Sequence, residues 1–157
     1  MITDKLLRIS EDQDIGALGN NAVEYSSAID LGVQRDVAQG EDLYFVFTVT
    51  ESFAGLTDLT VAIISDTTDD TFGSGSVVQH ATTAAILTAN LTAGTQFALK
   101  LPPIFGGKHN RYLGARYTCN GDPTAGMITA DVVLDVQDGL KFYASGFTTD
   151  FVGIPTP

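Results

Sequence analysis

The chain has 157 residues, 44% of them hydrophobic and only 17% charged, with a formal net charge of −11. That length fits one domain with a single core, and such acidity opposes nucleic-acid binding, because phosphates are met mainly by Lys and Arg. A lone cysteine, Cys119, excludes an intrachain disulfide, the opening MITDKLLRIS lacks the apolar stretch of a signal peptide, and no segment approaches the roughly 20 apolar residues of a membrane span.

The expectation is therefore a protein made in a reducing cytoplasm that meets neither nucleic acid nor membrane. After the opening segment, residues 11–23 hold Gly16, Gly19, Asn20 and Asn21 and read as a long polar loop. A weak strand signal follows at 24–31. Period-two alternation then becomes the dominant pattern. Leu43, Phe45, Phe47 and Val49 share one face, with Tyr44, Val46, Thr48 and Thr50 on the other, as in a strand buried largely on both sides. Leu59, Val61 and Ile63 repeat the alternation after a turn at Gly55. Weaker runs occupy 76–80 and 84–88, and Phe97, Leu99 and Leu101 alternate again.

Beyond a loop at 102–107, residues 111–118 form a strand with Leu113, Ala115 and Tyr117 facing inward, and 120–126 read as a turn. The most regular run is 127–137. Ile128, Ala130, Val132, Leu134 and Val136 point one way, and Thr129, Asp131, Asp135 and Gln137 the other, which predicts a half-buried strand. These runs predict about eight short strands in an all-β fold. It reads as an antiparallel β-sandwich, with a jelly roll first and an immunoglobulin-like arrangement second. The single domain spans 1–157 and ends in an aromatic tail, 140–157. Phe142, Tyr143, Phe147 and Phe151 lie there among glycines and prolines that preclude one long regular element. Truncation after Gly139 would separate a tail that grips a partner from one that completes the core.

Few residues carry recognisable chemistry. Asp66, Asp69 and Asp70 could supply oxygen ligands, but lack the order of a calcium-binding loop and read as a solvated turn. His80 and His109 lie in different segments, and with one cysteine they cannot assemble a structural zinc site. Cys119 reads as a buried thiol, and FGSGS at 72–76 lacks the pattern of a nucleophile elbow. Asp131 and Asp135 read as solvating acids. The expectation is a protein with no catalysis, cofactor or metal. Lys100, Lys108, Arg111 and Arg116 nevertheless make up half of the eight basic residues. In so acidic a chain this region is the natural place to meet an acidic partner, unless Asp131 and Asp135 balance it.

Several segments together resemble the small cement, or decoration, proteins of tailed-bacteriophage capsids. They are MITDKLLRIS (1–10), IDLGVQRDVAQGEDLYFVFTV (29–49), QFALKLPP (96–103), RYLGARY (111–117) and ITADVVLDVQDGLKFYASGF (128–147). Residues 11–24, 53–84 and 148–157 lie outside the likeness. The resemblance implies a jelly-roll protein on the capsid exterior that clamps major capsid protein subunits as a homo-oligomer, more often a dimer than a trimer, without cofactor. Its interaction candidates are Lys100, Lys108, Arg111, Tyr112, Arg116, Phe142, Tyr143 and Phe147. The competing reading is a carbohydrate- or receptor-binding jelly roll of a virion, using loops 57–58 and 66–75 with Phe72 as an aromatic platform.

Overall fold

The computed structural model describes residues 5–38, 40, 42–73, 75–104 and 107–134. Its strands are β1 (Arg8–Asp14), β2 (Val23–Tyr25), β3 (Ile29–Asp30), β4 (Tyr44–Asp66), β5 (Val78–Thr82), β6 (Ile86–Leu87), β7 (Gln96–Lys100) and β8 (Tyr112–Val133). All eight belong to one antiparallel sheet. The all-β expectation holds, but the strands are divided differently from the sequence reading.

β4 and β8 pair along their full lengths, from Tyr44 opposite Val133 to Asp66 opposite Tyr112. A straight strand as long as β4 would span roughly 75 Å, about twice the diameter of a domain of this size. The hairpin must therefore bend. Register shifts between Val49 and Asp58 break the ladder at its middle. On the facing strand Gly121 and Gly126 adopt φ values of +101° and +135°. Both are left-handed or extended-positive conformations that a side chain disfavours. The predicted turns at Gly55 and 120–126 are thus bulged bends inside two continuous strands. Four expected strands become two, because a bulge bends a strand while pairing resumes beyond it.

The bend folds the sheet over on itself as a sandwich. One half is ordered β1–β8–β4–β7, and in the other β2 and β3 flank β8 while β5 and β6 flank β4. The two inner faces meet in one core. Phe45, Phe47, Val49, Ile128, Ala130 and Val132 come from the first half, and Leu59, Val61, Ile63, Leu113, Ala115 and Tyr117 from the second. Phe47 meets Tyr117 edge-on with ring centroids 6.2 Å apart, and stacks on Phe97 at 5.2 Å. Along β8 the inward residues change from odd to even numbers across the bend, which one-residue bulges require.

Several local expectations need correction. β1 replaces the first part of the predicted 11–23 loop, because irregular pairing with β8 on both sides of Ser10 lets this polar segment lie along the sheet edge. The 24–31 strand is split into β2 and β3, since the Ser26 backbone N–H turns to the Ala115 carbonyl and its hydroxyl to the Ala115 N–H. The last strand is not half-buried. Thr129, Asp131 and Val133 are buried on its outer face, whereas Leu134 lies beyond the strand and is exposed. Asp131 is not a solvated acid, because Arg8 Nε donates to it at 2.9 Å.

The other outer face is closed by a plug. Phe72 caps the 67–77 loop and is buried against Ala62 and Ile64, with Tyr25 and Tyr112 alongside. Gly114 makes the room: a Cβ there would lie 2.6 Å from Phe72 Cζ. Phe72 is thus no exposed aromatic platform. Asp66 anchors the same loop by accepting from the Thr68 and Asp69 N–H groups and the Ser76 hydroxyl.

Candidate interaction surface

Because the bend lies at mid-strand, both termini of β4 and of β8 gather at the opposite, distal end of the sandwich. Lys100 closes β7 there, opposite Tyr44, and its Nζ lies 2.6 Å from Asp42 Oδ1. Arg111 precedes β8. Its Nε and one terminal N–H donate to the two oxygens of Asp30 at 2.7 Å each. The guanidinium also covers the Tyr112 ring, 4.9 Å from its centroid. Those donated hydrogen bonds, with another from the Gly32 N–H, hold the Asp30 carboxyl down at about 2. Lys108 is exposed and takes part in no ion pair among the described residues.

Arg116 sits further along β8 on the outer face of the second half, where it donates to the Gln79 side chain of β5. Its Nε is buried and has no hydrogen-bond partner among the described residues. The structure therefore brings Lys100, Arg111 and Tyr112 to one end and sets Arg116 apart. Neither Lys100 nor Arg111 is balanced by Asp131; Asp42 and Asp30 serve instead. Phe142, Tyr143 and Phe147 lie outside the described residues, as does Asp135.

Two features had no local signal in the sequence. His80 and His109 are 29 positions apart in sequence, yet their rings lie 4.7 Å apart beneath the distal end. The register of β5 on β4 and a backbone bridge from Arg35 to His109 bring them together. The second is a polar cleft of about 810 Å³ between β1 and β2, lined by Arg8, Gln13, Glu24, Tyr25 and Asp70 among others. At its floor the Ser10 hydroxyl meets the fully buried Tyr117 hydroxyl at 2.9 Å. Burial pushes both Tyr117 and Cys119 above their ordinary values. Among the described residues, no group of three or more His, Cys, Asp or Glu is placed to hold a metal ion, and no helix is long and apolar enough to cross a membrane.

The bent eight-stranded sheet and its charge-paired end define an all-β protein whose surface presents fixed side chains on short connections. Residues 10–132 match the model of the Bbp16 family, and the chain belongs to that family, which is phage-related. No curated protein matches the chain.

Proposed function

We propose that the protein is a capsid cement protein of a tailed bacteriophage. It is made in the host cytoplasm, binds the exterior of the head shell, and bridges neighbouring major capsid protein subunits as a homodimer. It acts by binding alone, with no catalysis and no cofactor. The observation that carries this reading is membership of a phage-related family across residues 10–132, a span that includes most of the segments resembling cement proteins.

The geometry of the distal end supports it. An anchor contributes most to binding when it is already held in its bound conformation. Arg111 is clamped by Asp30 and stacked on Tyr112, and Lys100 is paired with Asp42, so these side chains lose little freedom on docking. Lys108 adds an exposed charge between them in sequence. A bridging interface of ordinary size needs about 1,600 Å² of buried surface, more than one such cluster offers. The aromatic residues Phe142, Tyr143 and Phe147 are the further candidates for that area.

The test is to mix the purified protein with head shells that lack it, sediment them, and then heat them. Saturable co-sedimentation and longer shell survival are expected; absence of both overturns the reading. A second reading, a carbohydrate- or receptor-binding module of a virion, is favoured by the polar cleft with Tyr25, Glu24 and Asp70 on its walls. Selective binding on a glycan array, abolished by Tyr25→Ala, would support that reading over the first.

A further inference from the structure

Beneath the distal end, His80 and His109 tie four segments together. The His80 Nε2 lies 2.7 Å from the Ser65 hydroxyl at the end of β4, and that hydroxyl also accepts from the Asn110 N–H at 3.3 Å. His109 is fully buried, and among the described residues neither of its ring nitrogens has a hydrogen-bond partner. Its Nδ1 faces Asp36 Oδ1 at 3.4 Å. Asp36 is held in turn by the Ala38 and Ile104 N–H groups, and the Arg35 and His109 backbones exchange two hydrogen bonds. The imidazole pair thus fastens edge strand β5 to the end of β4 and to the connections before β4 and β8.

The charges around this pair are unequal. The connection before β4 contributes Asp36, while the Arg35 guanidinium turns away to the Leu31 carbonyl. From the end of β4 comes Asp66, whose carboxylate is taken up by its own loop. β5 adds the uncharged Gln79, which is bound to Arg116 of β8. Next to His109 in sequence, Lys108 is exposed, and Arg111 is neutralised by Asp30. Among the described residues, Asp36 is the carboxylate that faces a ring nitrogen of the pair.

We propose that His80 and His109 form a proton-operated latch on the distal end, closed while the His80 ring is neutral and released when that ring takes up a proton beside His109. A proton on His80 meets the charge of His109 at a ring separation of 4.7 Å, beside a fully buried ring, and the repulsion there is strong. Burial, followed by the charge of His109, lowers His80 from 6.5 to about 4. Since its folded value is depressed, closure is complete above 6.5 and is lost as pH falls toward about 4. Release would free β5 and the segment that carries Lys108 and Arg111, and leave the bend intact. The latch works in the isolated protein, independently of any shell.

Hydrogen exchange of the full chain between pH 7 and pH 4, corrected for intrinsic rates, tests it. Residues 78–82 and 107–111 should open at least about tenfold more at the acid end, while residues 120–126 stay unchanged. His80→Gln, which keeps a polar group beside Ser65 but cannot take up the proton, should abolish that rise. A rise that persists in His80→Gln, or none in the natural protein, overturns the proposal. Proton NMR of the natural protein gives a check that needs no variant. The His80 imidazole should titrate well below its ordinary value, toward about 4; a His80 titration near the unperturbed value of about 6.5 overturns it.

Discussion

Gly126 offers a sharp test of the bent hairpin. Its φ of +135° is nearly exclusive to glycine, and imposing a Cβ on such a conformation costs of order 1–3 kcal/mol. A Cβ would also collide with Phe53 Cδ1, in the ring that fills the inside of the bend. Forcing an extra carbon into a packed site adds about 1–3 kcal/mol. Gly126→Ala should therefore destabilise by about 4 kcal/mol, which for a domain of this size lowers the thermal midpoint by roughly 10 °C. Phe53→Ala alone should cost about 3–5 kcal/mol through the cavity it leaves. With the ring gone, Gly126→Ala retains only its backbone cost, so the double variant should be less damaged than the sum by about 1–3 kcal/mol. Urea unfolding of all four proteins measures this coupling. Single effects that add within about 0.5 kcal/mol would show that Phe53 does not pack on Gly126 and that the bend is held some other way.

Ser10→Ala should cost about 1–3 kcal/mol in urea unfolding, because it strips a partner from the fully buried Tyr117 hydroxyl, whereas Tyr117→Phe should cost less than about 1.5 kcal/mol. Asp30 is held down at about 2 by Arg111 and Gly32, against an ordinary 3.8. Its contribution to stability is complete above that ordinary value and is lost as pH falls toward about 2. Asp30→Asn should flatten this acid limb of the thermal midpoint, and an unchanged limb refutes the pairing. Lys108→Glu combined with Arg111→Glu should weaken binding to head shells by about tenfold or more, with the fold preserved by circular dichroism. Undiminished binding would remove the distal end from the proposed interface. Cys119, buried in the core, should react with a thiol reagent only as fast as the protein unfolds.

Much of the fold was written locally. Phe45, Phe47 and Val49, like Leu113, Ala115 and Tyr117, alternate because one face of each strand must leave water, and that period is visible in any short window. The inward and outward sets assigned to these runs match the buried core. Continuity was not legible, because Gly55, Gly121 and Gly126 read the same whether they end a strand or bend one. Only the pairing of β4 with β8 on both sides of the bend distinguishes a bulge from a turn.

Charge followed the same division. Composition determined that the chain is acidic, and residue order that half of its eight basic residues fall within 100–116, since a count needs no coordinates. Which carboxylate answers each cation was decided by register across the sheet: Asp30 for Arg111, Asp42 for Lys100, and Arg8 for Asp131. The histidine pair is the clearest case. Nothing near His80 in sequence announces His109, because an imidazole contact depends on two side chains arriving at one place, and only the folded sheet brings them there.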